Sequence, residues 1–309
     1  MATEEPSCRQ LSEDHLEPLT GSAAHAPAWL LVEHPGPWGP AAPKDVGWSD
    51  GSGAELIART EQLGIRLGLI RRPERRAAAA RQGTTTLLVH TGPDRPWVRL
   101  ADTADPAELL QLDLDGLAEG RAPALPAPEG QVLAVCTHGS RDVCCARAGR
   151  PVAAGLAERF GDAVWETSHV GGHRFAANLV CFPHGLMYGR ADVASAVEIA
   201  EDYRRGRITP GHYRGRTCWP GPVQAAEQWL RNSLGLVELD AVRVVGYTAG
   251  APTEVDLVAA GGDGQTRHRL RVETLQAGPA RPFSCGAAKL EMPPVYRVTT
   301  RDSPTGPAG

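Results

Sequence analysis

Two short segments constrain this chain more than any other feature: CTHGSRDVCCARAG (136–149) and SHVGGHRFAANLVCFPHGLMYGR (168–190). They place Cys136 and Cys145 in one loop, and His169 and His173 in another about two dozen residues on. A fold that uses these residues together has to bring the two loops to one point. The C-x8-C spacing does not lock the thiols to each other, so loop folding must do it. Thiolate is the metal-binding form, and Arg141 and Arg147 nearby favour it. In H-V-G-G-H, a helix would carry two adjacent glycines at about 1 kcal/mol each relative to alanine. A loop is the better reading, with the glycines allowing the backbone close to a ligand. Two thiolates and two imidazoles suit a structural zinc ion or a [2Fe–2S] cluster with two histidine ligands. Spacing alone leaves both open. A Rieske fold takes one Cys and one His from each loop; Cys136-Thr137-His138 supplies half of that pattern and no C-x-x-H follows, which disfavours it.

Seven cysteines in 309 residues are clustered, unlike a disulfide framework, which favours metal or redox work. The N-terminal MATEEPSCRQLSEDHLEPLTG is acidic and has no apolar stretch, unlike a secretory signal. A cytoplasmic setting is the expectation. No apolar run approaches the roughly 18 residues of a membrane span. The net charge of −4, from 32 basic and 36 acidic residues, argues against a nucleic-acid surface.

The pattern of elements is α/β in two domains. Residues 1–20 read as a disordered tail and 21–121 as an N-terminal α/β domain. The latter has strands at 28–33, 66–71, 85–90 and 97–100, and helices at 54–67 and 105–117. APALPAPEG (122–130), with three prolines, reads as a linker. Residues 131–302 form the second domain. Strand 131–135, a helix from Arg150 to Phe160, strand 163–166, a hairpin at 178–189 turned at Pro183-His184, and a helix at 192–205 capped by Asp192 give a thioredoxin-like order. A helix at 223–234 and strands at 242–248, 254–260 and 267–275 follow, the last two joined by a GGDG turn (261–264), as a C-terminal β meander. Residues 303–309 read as a second disordered tail. No internal repeat is visible in sequence; a degenerate thioredoxin-like unit in the first half is a conjecture.

The segments CTHGSRDVCCARAGRP and HVGGHRFAANLVCFPHGLMYGR, with AWLLVEHPGPWG near the N-terminus, resemble the signature segments of the sucrase/ferredoxin-like family. The resemblance implies a thioredoxin-like ferredoxin whose C-x3-C ligand pair is replaced by H-x3-H. It assigns Cys136, Cys145, His169 and His173 as ligands of a [2Fe–2S] cluster, with zinc the alternative. It also favours Cys145 over Cys144, since related sequences carry a basic residue in the place of Cys144. No paired-carboxylate glycosidase site supports the word "sucrase".

The function expected from this set is electron transfer between redox partner proteins, coupled to protonation of the histidine ligands. Nucleic acid and membrane are not expected as partners, and an electron carrier is favoured over a self-contained enzyme. The competing readings are a zinc-stabilised binding module and a cluster-containing oxidoreductase acting on a small molecule. His138 reads as a loop-fixing residue, and Arg141 with Asp142 as a structural pair. Cys181, Cys218 and His184 read as structural, and Cys8 as part of an inert tail. Cys285 has no role in this reading.

Overall fold

A computed structural model describes residues 6–48, 51–73, 85–261 and 264–300. Its centre is a nine-stranded mixed sheet of order β4-β3-β1-β2-β6-β5-β7-β8-β9. The strands are β1 (Ala28–Glu33), β2 (Ile65–Arg71), β3 (Thr85–His90), β4 (Trp97–Asp102), β5 (Val132–Cys136), β6 (Val164–Thr167), β7 (Leu179–Phe182), β8 (Leu186–Tyr188) and β9 (Tyr213–Arg216).

The sheet contains one unit twice. In the first half β1 runs parallel to β2 and antiparallel to β3, which is antiparallel to β4. In the second half β5 stands in the same relation to β6 and β7, and β7 to β8. The equivalent edge strands β2 and β6 join the halves antiparallel, through Ile70↔Thr167 and Arg71↔Glu166. The duplication conjectured from sequence is therefore present in topology, and residues 121–130, which have no regular structure, connect its two parts.

Alternation along the strands explains why both faces are apolar. Leu30 and Val32 of β1 pack with Leu56, Leu69, Leu88 and Leu117, the core of the first half. Leu133 and Val135 of β5 pack with Val152, Leu156, Leu179 and Ile199, the core of the second. The intervening residues, Trp29 and Leu31 with Val132, Ala134 and Cys136, meet in a third core that both halves share. Cys136 and Cys145 belong to that shared core, so the seam between the halves is where the sulfur sits.

Helices cover the outer faces: α2 (Ser52–Gln62), α3 (Pro106–Leu109) and α4 (Leu114–Glu119) in the first half, α5 (Val143–Phe160) and α6 (Val193–Arg204) in the second. Asp192 caps α6 through a reciprocal pair with Ser195. Beyond β9, α7 (Gly221–Leu234) packs on a four-stranded sheet of β10 (Val242–Thr248), β11 (Thr253–Gly261), β12 (Gly264–Gln276) and β15 (Pro294–Thr300), with the short pair β13 (Arg281–Pro282) and β14 (Leu290–Glu291) beside it. The meander read from sequence is this sheet; the middle of its GGDG turn and residues 303–309 lie outside the described residues. Among the described residues, no helix is long and apolar enough to cross a membrane.

Several boundaries differ from the sequence reading. The helix read at 54–67 ends at Gln62, because Gly64 takes a left-handed conformation (φ 68°) and Ile65 and Leu67 already belong to β2. The helix read at 105–117 is two short ones, each capped by an aspartate, Asp105 and Asp113. The helix read from Arg150 begins at Val143 and runs through Pro151, because the Asp142 carboxylate accepts from the Cys144 N–H and starts it there. Residues 6–20 are not featureless either. Ser7 caps a helix, α1 (Cys8–Asp14), whose Cys8 is only 2% exposed.

Candidate metal centre

The two loops of interest leave the ends of neighbouring parallel strands. β5 ends at Cys136 and β6 at Thr167, and these two residues are paired. Helix α5 leans directly on the first: a Cβ at Gly149 would lie 2.1 Å from the Cys136 carbonyl oxygen, so only glycine permits this approach. Cys145, in the first turn of that helix, is completely buried.

The second loop is fastened on three sides. Ser168 exchanges hydrogen bonds with Leu69 of β2, its N–H donating at 2.8 Å and its Oγ accepting at 2.9 Å. The His169 N–H donates to His138 Nδ1 at 3.1 Å, which leaves Nε2 of His138 to donate to the Gly39 carbonyl at 2.9 Å. His138 is therefore the loop-fixing residue expected, joining both loops to the first half of the sheet. Arg66 of β2 donates to the His169 carbonyl at 2.8 Å. Gly171 and Gly172 both take left-handed conformations (φ 98° and 72°). Their close neighbours are Ala24 and the Arg214 guanidinium, not a ligand position as the sequence suggested. The fully buried Arg214 donates to Gly171 O at 3.1 Å and Asn178 Oδ1 at 2.6 Å, and Asn178 donates to Gly172 O at 2.9 Å. Burial draws the Arg214 pKa down to about 9.

These contacts bring ligand atoms of Cys136, Cys145 and His169 within 4.8 Å of one another, a group that could hold a metal ion. His173 lies alongside: its ring centroid is 4.9 Å from that of His169, and its Nε2 is 3.8 Å from Asp142 Oδ2. Nδ1 of His169 and Nδ1 of His173 are both buried without a hydrogen-bond partner. Buried polar atoms without partners are costly and rare, and here two of them belong to adjacent imidazoles beside a pair of thiols. The donor set fits a thiophilic, nitrogen-accepting metal.

A hydrogen bond couples the two sulfurs. Donation from the Cys145 thiol, above all, draws Cys136 well below the usual thiol range, with further help from His169. The same hydrogen bond, with burial, pushes Cys145 up. A cation in place of the Cys145 thiol proton lets both serve as thiolates. Burial lowers the His173 pKa, while the Asp142 carboxylate opposes that shift. Burial works against ionisation of Asp142, yet backbone N–H groups of Cys285 and Cys144 hold its carboxyl below the usual range. The partners of Asp142 are thus these amides, Ser284 and His173 rather than the Arg141 read from sequence.

A profile of the sucrase/ferredoxin-like family matches residues 19–215. The chain belongs to the sucrase/ferredoxin-like family. The match spans all nine strands of the central sheet as far as Gly215 and stops before α7. No curated protein and no solved structure matches the chain.

The remaining cysteines and histidine divide. Cys181 and Cys218 are buried, and burial raises both thiols; His184 Nδ1 is 2.7 Å from the Tyr203 hydroxyl. Cys144 turns away from Cys145 toward Cys8 and Cys285, at 3.7 and 3.4 Å. Sequence reasoning missed this grouping and Arg66. The one signal for Arg66 was a cation near the start of IRLGLIR, a largely apolar strand, where Arg66 is partly buried and interacts favourably with Cys136.

Proposed function

We propose that this protein is a one-electron carrier, holding a [2Fe–2S] cluster through Cys136, Cys145, His169 and His173 in a thioredoxin-like unit and serving redox partner proteins. The observation that carries the reading is the pair of buried, partnerless Nδ1 atoms on adjacent, tilted imidazoles next to two thiols within 4.8 Å of His169. When bound, such a cluster takes up and releases a single electron. The chain's part is to hold and shield it. Cys136 and Cys145 supply thiolates from the shared core, and neutral His169 and His173 supply nitrogen without adding negative charge. Two imidazoles in place of two thiolates raise the potential above the roughly −400 mV of plant-type ferredoxins. Asp142 favours a proton on Nε2 of His173. An imidazole ligand binds its proton more tightly when the centre carries the extra electron. The potential therefore falls with rising pH once the oxidised-state histidine has titrated, by up to about 60 mV per pH unit for one proton per electron.

Anaerobically purified protein is expected to be red-brown, with about two iron and two sulfide per chain and an EPR signal on reduction. His169→Cys is expected to keep the cluster and lower its potential. A colourless protein holding zinc in place of iron would replace this reading with a zinc-stabilised module. A potential flat from about pH 6 to 10 would remove the proton coupling.

A further inference from the structure

The vicinal cysteines Cys144 and Cys145 serve two different places. Successive residues on a helix point about 100° apart, and α5 presents Cys145 to Cys136 and His169 but Cys144 to a different group. There it meets Cys8 from α1 and Cys285 from the segment after β13. The three sulfurs lie 3.7 Å (Cys8–Cys144), 3.4 Å (Cys144–Cys285) and 3.5 Å (Cys8–Cys285) apart, and all three are free thiols. Asp142 closes the group, with its two carboxylate oxygens 3.8 and 3.7 Å from Cys8 Sγ. All four ligand atoms lie within 4.8 Å of one another.

We propose that Cys8, Cys144, Cys285 and Asp142 form a second metal site, a closed structural site for zinc. A tetrahedral zinc with Zn–S bonds of about 2.3 Å holds its sulfurs about 3.8 Å apart, close to the triangle present here. Three thiolates and a carboxylate complete a four-coordinate shell with no open position, the mark of a structural rather than a catalytic site. Cys8, Cys144 and Asp142 are each under 5% exposed, and Cys285 is partly covered. The apolar side chains packed with the cysteines are small, Ala176 and Ala148.

The frame around the site is assembled by other contacts. Glu17 pairs with Arg174 at 2.8 Å and with Arg281 at 2.7 Å. Arg190 donates to the Ser12 hydroxyl at 2.8 Å and to the carbonyls of Ser12 and Glu17 at 3.1 and 2.8 Å. These contacts dock residues 12–17 onto Arg174 and Arg190 and hold Arg281 beside them. Cys8 and Cys285 are 277 residues apart and both lie outside the family match at 19–215. The effect of the site is to pin α1 and the segment after β13 to the helix that carries Cys145.

The test uses the full chain, purified anaerobically, with zinc and iron measured together. About one zinc per chain is expected in the unaltered protein and in Cys136→Ser. At least a tenfold loss of zinc is expected in Cys8→Ser and in Cys285→Ser, with iron retained in both. Iron reports on the first centre, and zinc lost with Cys8 reports on the second, so failure of either reading is seen separately. Should a serine variant not fold, the unaltered chain decides: Zn²⁺ alone, added to metal-free protein, is expected to shield Cys8 and Cys285 from alkylation at least tenfold. Zinc that survives both substitutions, equal alkylation with and without Zn²⁺, or a disulfide joining two of the three cysteines in the isolated protein overturns the proposal.

Discussion

The two halves of the central sheet share one topology and differ in what stands at the strand ends. In the second half, Cys136 ends β5 and His169 follows β6; in the first, β1 is followed by His34 and the turn around Gly36 and Trp38. The same architecture thus appears once with sulfur beside imidazole and once with an imidazole, His34, and no sulfur at the strand end. The first half is not idle. Its turn accepts Ser140 at the Trp38 carbonyl and His138 at the Gly39 carbonyl, and its β2 contributes Arg66 and the Leu69 backbone. A duplicated unit has become a wall for its twin: the topology supplies a meeting point of two loops, and the loop residues alone decide whether that point has chemistry.

The sharpest way to break this contrast is substitution at corresponding positions. Cys136→Ser is expected to abolish iron binding, while His34→Ala, at the matching place after β1, is expected to leave iron content within about twofold of the unaltered protein. Iron analysis checks both; loss of iron in the His34 variant would make the first half a ligand-bearing partner. The next effect concerns packing. Gly149→Ala drives a methyl into the Cys136 carbonyl, against backbone that has nowhere to go, and is expected to cost about 2–3 kcal/mol or more in denaturant unfolding. A cost within about 0.5 kcal/mol would mean that α5 is free to retreat from β5. The smallest effect tests the charge lent across the seam. The Arg66 guanidinium favours negative charge near Cys136, so Arg66→Met removes stabilisation from the reduced centre. The potential is expected to fall by roughly 50 mV, with iron content unchanged. A rise in potential would reverse the assigned sign.

Much of this was readable in advance because it was local. The β1 and β3 boundaries follow from short apolar runs and that of β10 from alternation, and the Asp192 cap announces α6. The four candidate ligands were legible as residue types at suggestive spacings, and the family motif tied them together. Two misses were local, the stop at Gly64 and the second cap at Asp113; the others were non-local. Arg150 looked like a helix start until Asp142, eight residues earlier and now held by Ser284 and Cys285, proved to be the cap. Cys8 looked inert because its burial depends on Arg190, Arg281 and Cys285, contacts that no window of sequence contains. Arg66 was invisible for the same reason: its partner is the carbonyl of His169, 103 residues away.

The core shared by the two halves has a thermal corollary. Trp29 packs edge-on against Phe182 with ring centroids 5.4 Å apart, and Leu31, Ile70 and Val89 lie in the same cluster as Trp165, Val180 and Met187. Cutting the chain at 122–130 would strip each fragment of one side of that cluster. Calorimetry should accordingly record a single melting transition across the nine strands, and neither fragment should survive as an autonomous piece.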